Sequence, residues 1–423
     1  MASTSKVPVS PHTNLNFSPT QLILTAARIW LSSLNLADTF KHSLELSSPL
    51  TSFSQVQEGI YLFNHDIDPY SGGSFRHSPL LLSLFATILP NSKRLASILW
   101  ALNDLIAAYA MVQIFRARQN IGRSPRDTLV AALYILNPYI LLPSLALSTS
   151  SIENTLILLS IMFACRKKTS ASIFVLAFLG HLSLSSIVMV LPVLLLLIGN
   201  PLSSLASPKA IQSNLKRLAP LFGEFGLYFG FLTLASTLIC GNWAWVSQTW
   251  GATLTLPDLT PTTGLWWYFF TEMFDHFRPF FLMVFNARHS VHLIIYVVPI
   301  CLKFQYDPLY ASFLLLGVLS LFKSYTTLSD PGLFLSMIAV FPEIHSYLRY
   351  PIVTALLHLH ASLLMPLFDH LWLNQGTGNA NFFYASTLVF ACANGAALVD
   401  CLWAGLRIAI GPPAIDGYAI EQE

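Results

Sequence analysis

Apolar runs separated by short polar interruptions set the plan of this chain. They occupy about 21–37, 95–115, 127–147, 151–165, 170–199, 219–240, 280–302, 308–322, 331–342, 351–373 and 382–406. A helix needs roughly 20 apolar residues to cross the hydrocarbon of a bilayer. The run 170–199 exceeds that, and a break near His181-Leu-Ser-Leu-Ser185 divides it into two short halves. Counted this way the chain has about twelve transmembrane helices in an all-α polytopic fold. The halves of 170–199 and the run 151–165 are short for a span, so they are expected to be shielded by neighbours or to thin the bilayer locally.

Basic residues orient the plan, because cytosolic loops carry the excess of Lys and Arg. Three clusters stand out: Arg116, Arg118, Arg123 and Arg126; Arg166, Lys167 and Lys168; Lys209, Lys216 and Arg217. Placing all three in the cytosol requires an even number of crossings between them, which the break in 170–199 supplies. Both termini then fall in the cytosol, with 1–20 a polar tail and 21–37 an uncleaved signal anchor. Residues 38–94 form a first luminal loop and 241–279 a second. Two segments in these loops read as interfacial helices: 79–90, too short to span, and 265–277, with a dense aromatic face. Trp243, Trp245 and Trp250 suit an interfacial belt. Nothing marks a second, soluble domain, so 1–423 is read as one multispanning membrane domain.

Composition narrows the function classes. The chain is 54% hydrophobic and 10% charged, with a mean hydropathy of +0.60, against about a quarter charged in soluble domains. No basic stripe or zinc spacing suggests nucleic-acid binding. The five cysteines form no C-x-x-C pair, which argues against a disulfide scaffold or zinc site. His289-x-x-His292 and His358-x-His360 lack a third ligand nearby and read as interfacial or core histidines. No cofactor or metal is implied.

Several polar groupings could carry chemistry. Asp66 and Asp68, in His65-Asp-Ile-Asp-Pro-Tyr70, could act as a base or hold the metal of a sugar-phosphate donor; they look more like an Asp-Pro turn. Glu272 and His276, four apart on the aromatic helix, read either as an acid–base pair or as a helical hydrogen-bonded pair. Lys323-Ser-Tyr-Thr-Thr-Leu-Ser-Asp330 is a polar island between apolar runs. Lys323 and Asp330 could pair across it, with Tyr325 and Thr326 as hydrogen-bonding groups, and such an island usually marks where a membrane protein handles a ligand or partner. Asn379-Ala-Asn-Phe-Phe-Tyr384 sets amides beside aromatic faces, a combination suited to carbohydrate. Asn381 could equally be an N-cap. Asp104 and Glu153 are the main ionisable residues within spans, and Asp104 could pair with a neighbouring helix. No nucleophile arrangement is apparent.

These blocks together resemble the PIG-U family, the polytopic subunit of the glycosylphosphatidylinositol (GPI) transamidase of the endoplasmic reticulum. Ser48-Pro-Leu-Thr-Ser52, Glu58-Gly59, Asp68-Pro-Tyr-Ser-Gly72 and Pro79-Leu80 resemble its first luminal loop. Trp267–Phe277, Phe322-Lys-Ser-Tyr325 with Asp330, Asn379–Tyr384 and Asp400–Arg407 resemble four later blocks, all in order from about 20 to 410. One departure is Arg76-His77 before Ser78-Pro79, where an acidic residue is expected. The family in turn is similar to the dolichol-phosphate-mannose-dependent mannosyltransferases, whose scaffold is of the glycosyltransferase-C type. Here Leu44-Glu-Leu-Ser-Ser-Pro49 has one acid and no pair, so the scaffold is read as lacking the catalytic acids. The resemblance implies a non-catalytic subunit that binds the GPI lipid, working with other transamidase subunits including a caspase-like cysteine protease that supplies the nucleophile. Lys323, Tyr325, Asp330, Asn379, Asn381, Phe383, Glu272 and His276 are the expected GPI-binding residues. Active mannosyl transfer is the alternative and would need Asp66 or Asp68; a purely structural subunit and a transporter are further readings.

Overall fold

Several short apolar helices lie inside, while three of the long ones are mostly exposed. The computed structural model describes residues 19–34, 36–40, 43–208, 214–282 and 290–411, and these contain helices and loops but no strand. Four helices among the described residues are long and apolar enough to cross a membrane: Lys93–Gln119, Leu218–Cys240, Pro351–Asn374 and Ala380–Ile410. Arg126–Ile135 and Pro138–Leu145, bent by 49°, make a fifth if taken as one span. Pro138 causes the bend: it disfavours helical geometry at the preceding residue, and Asn137 is extended with its side chain capping Tyr139 N at 3.0 Å.

The shorter apolar helices Ser150–Cys165, Thr169–Leu182 and Pro308–Phe322 fill the middle. Every residue of Pro308–Phe322 except Phe322 is buried, whereas Leu218–Cys240 buries only Leu232 and Ser236. Met111, Leu158, Leu179, Val193, Leu314 and Phe334 form one core. The short helices are therefore shielded by neighbours, the first of the two expected ways to accommodate them. Close approach is obtained with glycine, as at other helix contacts in membranes. A Cβ on Gly405 would lie 2.4 Å from the Tyr310 ring, and the Tyr310 hydroxyl donates to the Cys401 carbonyl at 2.5 Å.

The expected break in 170–199 is present. The helix Thr169–Leu182 ends before a 3₁₀ turn, Leu184–Met189, and Val190–Ile198 returns antiparallel. Lys167, at the foot of the outgoing arm, donates to the carbonyls of Leu196 and Leu197 at the foot of the other, at 2.8 and 3.0 Å. Buried between helices, Arg28 meets Asp104 at 3.0 Å, and Ser144 bonds both; Asp104 thus has its neighbouring-helix partner.

One end of the bundle gathers the first two basic clusters. Arg118 reaches Asp307 and Glu343, each at 2.6 Å, Arg116 reaches Asp127 at 2.7 Å and Arg166 reaches Gln113 at 2.8 Å. Lys216 and Arg217 open the Leu218–Cys240 helix, while Lys209 and His289 lie outside the described residues, as does the side chain of His292. His358 is a core histidine, bonded to Thr354 O and Asn394 at 2.7 and 3.0 Å.

Two expectations are corrected. The aromatic helix does not run through 265–277: it spans Trp266–Thr271 and stops. Arg278 folds back to donate to the carbonyls of Phe270 and Met273 at 2.8 and 3.0 Å, replacing the bonds a further turn would make. Of the tryptophans expected in an interfacial belt only Trp243 is exposed; Trp245 is fully buried and Trp250 stacks 5.3 Å from Phe229 beside His181.

Candidate functional site

The end of the bundle opposite Arg118 is closed by the two loops expected to be luminal. They dock on the ends of the short inner helices through backbone bonds: Thr149 N to Thr51 O at 2.8 Å and Leu328 N to Glu45 O at 3.0 Å. Loop backbone held by protein rather than water is the arrangement tolerated at membrane depth. Gly59 permits part of this docking, because a Cβ there would lie 2.3 Å from the Phe75 ring.

The polar island is a buried ionic knot rather than an open rim. Lys323 leaves the end of Pro308–Phe322 and meets Glu153 at 2.8 Å and Asp330 at 2.9 Å. The expected Lys323–Asp330 pair is present. The second acid, Glu153, comes from Ser150–Cys165 and was not paired by the sequence. Asp330 lies in the first turn of Ser329–Met337 and also accepts from Thr327 N at 2.9 Å. Buried Tyr325 accepts from Asp258 N at 3.3 Å and donates to Asp258 O at 3.1 Å. The Asp258 carboxylate pairs with Arg76 at 3.0 Å. Arg76, the departure from the expected acidic residue, thereby ties the first loop to the second and through it to the island. Asp258 was missed, although it is the single charged residue in 241–264.

The other two blocks meet beside the island. Tyr268 donates to Asn381 Oδ1, and Tyr384 donates to Leu265 O at 2.9 Å. The Trp267 ring lies 6.1 Å from fully buried Phe383 and 6.4 Å from Trp372. Asn379, not Asn381, is the N-cap of Ala380–Ile410, accepting from Phe382 N at 3.3 Å. Donation from its hydroxyl to the Glu272 carboxylate raises the Tyr268 phenol above its ordinary range. Glu272 and His276 do not share a helix, since Thr271 ends it, but both are exposed, as are Asn379 and Asn381. The eight expected residues thus divide into four exposed ones and four that are buried or half-buried, Lys323, Tyr325, Asp330 and Phe383.

Asp66 and Asp68 behave as a turn. Asp66 has φ +58°, and Asp68 accepts from Tyr70 N at 2.9 Å and from Asn242 at 3.0 Å. No group of three metal-ligating side chains occurs among the described residues.

His77 links this end to pH. Its Nε2 donates to the Ser52 carbonyl at 3.0 Å, and burial pushes the imidazole from 6.5 down to about 4, against the opposing effect of that bond. The unfolded state therefore binds the proton first. Stability is complete above about 6.5 and falls as pH drops toward 4, by about 1.4 kcal/mol per pH unit. Taking the protein from pH 7 to 5 should cost on the order of 2 kcal/mol from this group. Thermal unfolding in detergent at the two values, with His77→Gln as the reference that loses this share, measures it.

The architecture defines a class: an all-helical, multi-pass membrane protein with a polar and aromatic end. Sequence comparison gives the family. Residues 22–390 match the model described as GPI transamidase subunit PIG-U. A Saccharomyces cerevisiae protein named GPI transamidase component GAB1 is 37% identical over 388 residues, covering 90% of this chain and 93% of the relative. The GPI-anchor transamidase component PIGU of Mus musculus is 32% identical over 419 residues, and that of Homo sapiens 31% over 420, each covering 92% of this chain and 94% of the relative. The chain belongs to the PIG-U family.

Proposed function

We propose that this chain is a non-catalytic subunit of the GPI transamidase in the endoplasmic reticulum membrane. It binds the GPI lipid and presents the glycan's terminal ethanolamine amine for attachment to precursor proteins. Membership of a family whose relatives are named as components of that enzyme supports the role. The observation that carries the lipid-binding part is the junction of Tyr268 and Asn381, which joins two sequence blocks far apart in the chain at a surface with exposed amides and a carboxylate. Acyl chains would lie against lateral apolar faces such as Leu218–Cys240, and the phosphoinositol and mannoses against the polar end. Glu272, His276, Asn379 and Asn381 would touch the glycan; Lys323, Tyr325, Asp330 and Phe383 would hold them in place. The partners are the other transamidase subunits, including a caspase-like cysteine protease that performs the transfer. The full reading includes about twelve spans on a glycosyltransferase-C-like scaffold, with both termini cytosolic.

Alanine at both Asn379 and Asn381 is expected to lower attachment of GPI to a reporter precursor severalfold while the complex still co-purifies intact. Normal attachment in that double variant would remove these amides from the site.

A further inference from the structure

Three buried polar atoms without partners among the described residues belong to residues in or next to one apolar cluster beside the junction just described. Leu46, Trp267 and Phe383 are buried in one apolar cluster, with Leu44, Phe368 and Trp372 half-buried around it. Leu44 and Leu46 flank Glu45, and Phe368 precedes Asp369, so both acids sit in the wall of this cluster. Glu45 is 4% exposed; Ser43 donates to its Oε2 at 2.7 Å, while Oε1 is buried with no hydrogen bond. Asp369 Oδ1 and the indole Nε1 of Trp267, itself 5% exposed, are buried and unbonded in the same way. Burial raises the Glu45 carboxyl above its ordinary range, and the Asp369 charge raises it further.

An unsatisfied buried polar atom costs about 1–3 kcal/mol, and native proteins keep few of them. Two carboxyl oxygens and one N–H in a single aromatic setting therefore define what would satisfy them. The carboxylates call for a cation, and the rings beside them favour an ammonium ion. A divalent metal is disfavoured, because no third ligand completes a set among the described residues. The indole N–H calls for an oxygen close to that ammonium. Asp369 leads directly into a π-helical turn, His370–Asn374, an element that recurs at functional sites. That turn carries Trp372, whose ring stacks on Trp267.

We propose that Glu45, Asp369 and Trp267 form a recognition site for a primary ammonium group with an oxygen two carbons away. The carboxylates would accept from the ammonium, and the indole would donate to the oxygen. The inference rests on the proposed role in GPI binding and deepens it. Two parts of such a lipid share this chemistry, an ethanolamine phosphate and an unacetylated 2-amino sugar.

The test uses the intact purified complex and saturation-transfer NMR, with phosphoethanolamine, glucosamine, ethyl phosphate and N-acetylglucosamine as probes. Transfer to phosphoethanolamine alone assigns the site to the ethanolamine; transfer to glucosamine alone assigns it to the amino sugar. In either case the two probes without an ammonium stay silent, and Glu45→Gln, nearly isosteric, weakens binding about tenfold or more. Asp369→Asn provides the second variant and should do the same, with co-purification of the subunits reporting that each variant assembles. Silence of both amines, or transfer unchanged by both variants, overturns the site. If the Asn379/Asn381 double variant lowers attachment while Glu45→Gln and Asp369→Asn leave attachment and transfer at wild-type levels, the ammonium site fails and GPI binding stands. If attachment is normal in all of them, the broader reading fails as well.

Discussion

Lys323→Met is expected to destabilise the protein by about 3–5 kcal/mol, the range for breaking a buried ion pair by removing one partner. The size follows from the arithmetic of the knot. Among the described residues Lys323 is the one cation serving Glu153 and Asp330, at 2.8 and 2.9 Å, and all three side chains are about one-tenth exposed or less. Without it, two carboxylates face each other in a medium that solvates neither. Asp330 keeps the amide of Thr327, which offsets only part of this. Glu153→Gln should behave differently, because it leaves a one-to-one pair between Lys323 and Asp330; about 1 kcal/mol or less is expected. Thermal unfolding of the purified protein in detergent, with steady-state abundance as a second readout, separates the two. Equal stability of Lys323→Met and wild type would mean that the knot is not ionised.

At the other end of the bundle Arg118→Met should be comparably damaging, again about 3–5 kcal/mol. The guanidinium is fully buried, bonds Asp307 and Glu343 at 2.6 Å each, donates to Ser203 Oγ at 3.1 Å and lies 5.0 Å from the centre of the Phe341 ring. One side chain thus fastens the helix Lys93–Gln119 to three later segments. Its planar fork matters as much as its charge, since a lysine cannot serve two carboxylates in divergent directions as well. Arg118→Lys is therefore expected to recover roughly half of the loss. The same melting measurement decides it; full recovery by lysine would show that charge alone suffices.

What the sequence made legible was local. Apolar runs located the helices, and the interruption at His181–Ser185 revealed the hairpin, because a loss of apolar character within a long run has few explanations inside a membrane. Asp66 and Asp68 were readable as a turn from Pro69. Pairings across long separations were not. Glu153 meets Lys323 170 residues later, and nothing near either residue names the other. The aromatic helix was drawn too long because its end depends on Arg278, which lies beyond the aromatic pattern and turns back onto it. Trp245 and Trp250 looked interfacial from composition, yet His181 and Phe229 present rings against which they pack. Asn381 looked like the cap because an apolar run follows it; the helix starts at Ala380 instead, which makes Asn379 the cap.

The packing of short helices against longer ones has a consequence for biosynthesis. Ser150–Cys165 has 16 residues and Thr169–Leu182 has 14, fewer than the roughly 20 that hold a lone helix across a bilayer. Released singly from the translocon, such segments would be poorly retained. They persist because Lys93–Gln119 and Ser329–Met337 pack on the first and Leu218–Cys240 on the second. Membrane integration of this chain is thus a collective event, in which helices that emerge later secure those made before them.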